Sequence, residues 1–169
     1  LDFDQIIPIK DADDYTIKIA AKNQTETQSA EASQIRHSNR QNFWADFIEY
    51  NKNNNGLFSG SAGTTDSWLG KSIKGFSGVN INICIYNSST RSEIYINTGD
   101  KAKNKNIFDF LLSHKIEVEQ IFGEELVWQR LDDKVTCRIR IDRNDLSYLN
   151  PEHHEAIFAF FVDTTNRMM

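Results

Sequence analysis

The sequence predicts an α+β domain in which an antiparallel β-sheet of two hairpins is flanked by three helices, in the order β-α-ββ-α-ββ-α. Three observations carry this reading. Apolar and polar residues alternate through 81–85 and again through 94–96, on either side of a polar turn. A second alternation runs through 134–142. Between and around these stretches, apolar residues recur at helical spacing.

The elements follow in order. Tyr15-Thr16-Ile17-Lys18-Ile19-Ala20 reads as a short strand, because β-branched and aromatic residues alternate with polar ones. Residues 22–37 are polar and read as a linker. Ser38 with Gln41 fits a capping box, and Phe43, Trp44, Phe47 and Ile48 follow on one helical face. Asn53-Asn54-Asn55-Gly56 is the stop. Residues 57–78, rich in Gly, Ser and Thr, read as a loop anchored by Trp68 and Phe76.

The first hairpin pairs Ile81, Ile83 and Ile85 with Ile94 and Ile96 across Asn87-Ser88-Ser89-Thr90. Asp100 is placed to cap a long helix through Phe122, which Gly123 ends. The second pair, 125–130 and 134–142, turns at Asp132-Asp133. Asn150-Pro151 opens the last helix, since Asn caps well and Pro suits the first helical position. The expected inward face is Ile81, Ile83, Ile85, Ile94, Ile96, Val135, Cys137, Ile139 and Ile141. The opposite face then carries Asn82, Tyr86, Arg91, Glu93, Tyr95, Asn97, Arg138 and Arg140.

Composition narrows the classes. At 169 residues the chain suits one domain, and 39 % hydrophobic with 25 % charged residues excludes a disordered or fibrous protein. No apolar run is long enough to span a bilayer, so no membrane partner is expected. Net charge is −5, yet it is uneven: −4 over residues 1–70, +4 over 71–115 and −5 over 116–169. A basic middle between acidic ends reads as a solvated charge mosaic or, alternatively, as a local anion-binding patch, and the acidic total opposes strong DNA affinity. Cys84 and Cys137 are too few for a disulfide framework and are expected to be free and buried. With no basic or apolar leader after Leu1-Asp2-Phe3-Asp4, the expected location is cytoplasmic. The start without Met suggests a piece of a longer protein, with residues 1–25 a connector and 26–169 a single domain.

Several residues in order carry a family resemblance: Arg40-x-x-Phe43-Trp44, Trp68, Lys74-Gly75-Phe76-Ser77-Gly78, and Arg91-Ser92-Glu93-Ile94-Tyr95-Ile96. Asn104-Lys105-x-x-Phe108-Asp109-x-Leu111, Ile116-Glu117, Gly123, Leu126-x-Trp128 and Thr136-x-Arg138-Ile139 complete it. Over roughly residues 30–165 the chain resembles the bacterial and archaeal domain of unknown function 4268. The resemblance implies a setting C-terminal to a restriction-endonuclease-like nuclease domain of the PD-(D/E)xK type. It implies no established activity for this portion.

The nuclease chemistry itself is missing from the strands. Such a site needs an Asp and then Glu-x-Lys, so that two carboxylates hold Mg²⁺ while the Lys acts on the attacking water. Glu93-Ile94-Tyr95 has Tyr where Lys is required. His153-His154 are adjacent helix positions that diverge by about 100°, and no metal site or cofactor is expected. Gly70-Lys71-Ser72 lacks the upstream Gly of a phosphate loop.

Two clusters remain as candidates for nucleic-acid or anion binding. Lys101, Lys103, Asn104 and Lys105 crowd a helix start, where cations oppose the dipole but backbone N–H groups favour phosphate. The bland alternative is a solvated helix end. Arg91, Glu93 and Tyr95 share a strand face, with Arg138 and Arg140 on another strand. Arginine with tyrosine stacks on bases or grips phosphate, whereas an exposed Glu93–arginine ion pair is the structural alternative. The sequence thus points to an accessory, non-catalytic module of a larger nuclease-like protein that contacts nucleic acid through these residues. A protein-docking or homodimerisation module is the alternative. An enzyme acting on a small molecule or nucleotide, with Glu93, Glu117 or Lys105 as acid–base groups, is the third reading.

Overall fold

The structure, a computed structural model, describes residues 9–169, with side chains described from residue 24 onward and at Lys18 and Lys22. The start at Leu1–Asp4 and the first part of the expected connector lie outside the described residues. The chain forms two units, residues 1–38 and 39–169. In the first, every described residue is helical. Helix α1 runs Ile9–Asn53, so Tyr15–Ala20 are helical rather than a strand, residues 22–37 are helical rather than a linker, and Ser38 lies inside a helix instead of capping one. No Gly or Pro interrupts residues 9–53. A six-residue alternation is a weak signal against that uninterrupted backbone, because strand preference depends on a partner strand to pack against.

The second unit begins within α1 and contains the sheet. Helix α1 ends where Asn55 adopts a left-handed φ of 52° and the Gly56 N–H bonds Asn51 O at 2.9 Å. Strands β1 (Trp68–Ser72), β2 (Val79–Ile85) and β3 (Thr90–Ile96) then form a meander. Helices α2 (Lys101–Ser113) and α3 (Lys115–Phe122) lead to β4 (Val127–Gln129) and β5 (Cys137–Arg143). A 3₁₀ turn at Pro151–His153 feeds α4 (His154–Arg167). The five strands are wholly antiparallel, in the order β1-β2-β3-β5-β4. The α+β class with its antiparallel sheet therefore holds.

Asp100 caps α2 by accepting the Lys103 N–H at 3.1 Å, and Asn150 caps the last helical segment by accepting that of Glu152. Gly123 ends α3 at a φ of 91°, a conformation that suits glycine. Within the second unit three details differ from the sequence reading. The Gly/Ser/Thr-rich stretch contains β1, an edge strand whose partner β2 supplies the order its own residues lack. The expected long helix breaks at His114, where Ser113 Oγ bonds Phe110 O at 2.7 Å and His114 Nδ1 reaches the same carbonyl at 2.9 Å. These side chains take an acceptor that the helix ladder would use. Val135 is exposed, because β5 begins only at Cys137.

One face of the sheet is covered by helices. Phe43, Trp44 and Phe47 from α1 pack with Phe58, Phe158 and Phe161 against Ile83 and Ile85. Phe108, Phe122 and Leu126 pack against Val79, Ile96, Cys137 and Ile139. Each such side chain, fully buried, contributes about 1.5–3 kcal/mol by removal from water. Cys84 and Cys137 are both free and buried, on opposite faces of the sheet.

Candidate functional site

The face of the sheet opposite this packing is polar, and strand register arranges it as a grid. Because side chains alternate along a strand, directly paired residues share a face. Across β2, β3 and β5 the rows are Cys84–Arg91–Asp142, Asn82–Glu93–Arg140 and Asn80–Tyr95–Arg138. Strand β1 extends them with Trp68, Gly70 and Ser72. Five of the expected residues, Arg91, Glu93, Tyr95, Arg138 and Arg140, are thus brought together. Much of this face is a groove of about 640 Å³, walled by Trp68, Asn80, Asn82, Tyr86, Tyr95 and Arg138 with Glu93 at its floor.

Gly70 is required by close approach. A Cβ there would lie 2.5 Å from Asn82 Oδ1 and 2.9 Å from the Trp68 ring. The missing side chain lets the Asn82 amide and the indole lean across the edge strand. Trp68 remains half exposed, and Tyr86 is exposed beside it. An aromatic surface therefore faces outward at the rim of a polar depression.

The charges in the grid are unequally satisfied. Asp142 Oδ1 accepts from Arg91 Nε at 2.8 Å and from Arg140 Nη1 at 2.7 Å, which fixes both guanidinium groups. Arg91 also lies over the Tyr86 ring at 5.3 Å, and Arg138 over the Tyr95 ring at 5.7 Å. The Arg138 guanidinium makes no hydrogen bond among the described residues. Its nearest acid is Glu93, with Nη1 3.9 Å from Oε2. Glu93 is 4 % exposed, so the expected exposed ion pair is instead a buried one. Its Oε1 accepts a long 3.4 Å bond from Asn82 Nδ2, and its Oε2 has only Arg91 Nη1 at 3.6 Å and Arg138 Nη1 at 3.9 Å. That oxygen, like Arg138 Nε, is buried without a hydrogen-bond partner. Burial, followed by the Glu93 charge, pushes the Cys84 thiol up to about 12. Burial and then Cys84 also raise the Tyr86 phenol above its usual range. Both groups therefore stay protonated near neutrality.

The helix-start cluster divides. Lys101 and Lys103 are exposed. Asn104 and Lys105 are buried on the helix-covered side and are committed to backbone groups. Asn104 Oδ1 accepts from Thr98 N at 2.9 Å and Thr98 Oγ1 at 2.7 Å, while its Nδ2 donates to Val135 O at 2.9 Å. Lys105 Nζ donates to the carbonyls of Arg130, Leu131 and Thr136 and lies 3.3 Å from Cys137 Sγ. These bonds gather the β4–β5 connection, including Leu131 at a φ of 54°, around one cation. Glu117 is exposed on α3, so Glu93, Glu117 and Lys105 do not converge. His153 and His154 serve the last helix: Nδ1 of the first accepts the Ser147 N–H, and Nε2 of the second donates to Tyr148 O.

No signal in the sequence marked the contribution of β1. The groove needs Trp68, Gly70 and Ser72, and these come from a stretch with no strand-like alternation. The described residues hold no cluster of three or more His, Cys, Asp or Glu able to bind a metal, and none of the described helices is long and apolar enough to cross a membrane.

Fold and face together define an α+β domain with a helix-covered apolar sheet face and an open, arginine- and aromatic-bearing one. Comparison with known families identifies it further: the family described as Domain of unknown function (DUF4268) matches residues 39–169, and the chain belongs to that family. The matched span coincides with the second unit. Among the curated proteins and the solved structures compared with the chain, none matches.

Proposed function

We propose that this domain is a non-catalytic accessory module that binds single-stranded nucleic acid across its polar sheet face. The observation that carries the reading is the coincidence on one open face of three arginines, two of them lying over tyrosine rings, with a half-exposed tryptophan and a groove. Flat aromatic and guanidinium surfaces stack on unpaired bases, and arginine donors meet phosphate oxygens. The ionic pairs with Asp142 and Glu93 leave the face near neutral, which suits modest affinity rather than the strong grip of a basic protein. Within a larger protein the module accompanies a nuclease-like domain, as the resemblance implies, and directs it to unpaired strands. Cytoplasmic location belongs to the same proposal.

The test is fluorescence anisotropy of labelled single- and double-stranded oligonucleotides titrated with the domain at two salt concentrations. The reading expects single-strand preference, a log–log salt slope of about 0.7 for each phosphate engaged, and loss of binding in Arg138→Ala. Absence of binding at low salt sinks it.

One observation favours a second reading. Phe76, Ile107, Phe110, Leu111 and Met169 line an apolar groove of about 820 Å³ on another part of the domain, and Phe76, Phe110 and Met169 are exposed. Exposed apolar surface of this kind marks association surfaces, and this reading makes the domain a homodimer. Sedimentation at increasing concentration distinguishes a monomer from a self-associating chain, with Phe110→Glu as the control.

A further inference from the structure

The groove holds a carboxylate whose chemistry is unfinished. A buried charge is ordinarily paired and hydrogen-bonded, because removing it from water without partners is costly. Glu93 falls short of this: Oε1 has one long bond from Asn82, and Oε2 has none. Arg138 is its counterpart, a guanidinium in the groove wall with no hydrogen bond among the described residues and with Nε buried and unpartnered. An acceptor and a donor group, each incomplete, thus stand 3.9 Å apart in one depression.

The missing partner must offer N–H donors to Glu93 and, alongside them, an acceptor to Arg138. A purely anionic ligand meets only the arginine and is repelled by the carboxylate. A purely cationic ligand has the reverse difficulty. Guanine offers both in one plane: the N1–H and exocyclic N2 amine are adjacent donors, and the neighbouring O6 is an acceptor. Adenine and cytosine have an amine but no such donor pair beside a carbonyl, and thymine has a single N–H. The Trp68 and Tyr86 rings at the rim provide flat surfaces for stacking a purine.

We propose that Glu93 reads the Watson–Crick edge of an unpaired guanine, with Arg138 shifting to O6 and Asn82 steadying the carboxylate. Among the described residues the Arg138 guanidinium is held only by the Tyr95 ring and the long pair with Glu93, so it is the group that moves to uncover Oε2. This inference rests on the single-strand reading above and names the base which that face prefers. The same edge occurs on a free guanine nucleotide, so the experiment includes both.

The experiment measures anisotropy of labelled oligothymidylates carrying one central guanine, inosine, adenine or cytosine, with guanosine monophosphate as an unlabelled competitor. Inosine keeps N1–H and O6 but lacks the N2 amine. The expected result is about tenfold tighter binding of the guanine oligomer than of the other three, within the range that one good bidentate base contact provides. Glu93→Gln should abolish the preference of guanine over inosine, whatever its effect on plain oligothymidylate. Should that variant fail to fold by circular dichroism, the guanine–inosine difference in the unaltered protein still decides. Equal affinity for guanine and inosine, or a preference retained in folded Glu93→Gln, overturns the inference and leaves the single-strand reading standing. Binding of guanosine monophosphate with no oligomer binding upholds the guanine edge and overturns the strand reading. No binding of any probe overturns both.

Discussion

Lys105 and Glu93 are both buried charges, 6 % and 4 % exposed, placed against opposite faces of one sheet. Their surroundings differ. Lys105 Nζ donates to three carbonyls from two chain segments. Glu93 has one long bond and two cations beyond hydrogen-bonding distance. The lysine is a completed structural device: it replaces lost hydration with backbone acceptors and holds an irregular connection in shape. The glutamate retains an electrostatic match but lacks its hydrogen bonds. The contrast teaches that burial alone does not distinguish a charge completed by hydrogen bonds from one left short of them.

Substitutions sharpen that contrast. The largest effect is expected at Lys105→Met, which removes the Lys105 donor from the Arg130 and Thr136 carbonyls while Leu131 O keeps the Lys134 N–H, and which should cost about 3 kcal/mol in urea unfolding. A loss below about 1 kcal/mol shows that those carbonyls find other partners and breaks the comparison. Asn104→Ala removes three bonds from the same region and should cost about 2 kcal/mol by the same measurement. Glu93→Gln keeps the shape of the side chain and removes no strong hydrogen bond, so its cost should be about 1 kcal/mol. If it instead matches Lys105→Met, Glu93 is a group that stabilises the fold, as Lys105 is.

Two smaller effects depend on pH. The Cys84 thiol is raised from 9.0 to about 12 by burial and then by Glu93. A raised folded value means its contribution is complete below pH 9 and is lost as pH climbs toward 12. Thiol reagents at pH 8 should accordingly label Cys84 only after denaturant is added, and rapid labelling of the folded protein contradicts the enclosed geometry. Glu119 behaves with the opposite sign. The Leu126 N–H and then the Trp128 indole, each at 2.9 Å, hold its carboxyl below the usual carboxylate range. Its contribution is present above that range and lost on acidification. Glu119→Gln should therefore flatten the acid limb of a stability–pH curve while leaving its alkaline limb in place.

Local chemistry made much of the fold legible. Ile81, Ile83 and Ile85 against Ile94 and Ile96 define a hairpin because alternation sorts the two faces and a polar turn joins them. Asp100, Gly123 and Asn150 act where their backbone preferences place them. The polar grid was partly legible for the same reason: once the strands are known, Arg91, Glu93 and Tyr95 must share a face, and Arg138 and Arg140 theirs. The Tyr15–Ala20 reading failed because six residues of alternation cannot make a strand without a neighbouring strand.

The sequence by itself thus determined the class, the hairpin, the helix caps and the sorting of polar from apolar faces, all of which depend on residues near in the chain. Only the tertiary structure decided that β1 joins the sheet edge, that Lys105 turns inward to carbonyls up to 31 positions away, and that Glu93 lies beside Arg138 with its hydrogen bonds incomplete. Each of these depends on which distant groups arrive to complete, or fail to complete, a polar side chain. Spacing along a chain carries no record of that.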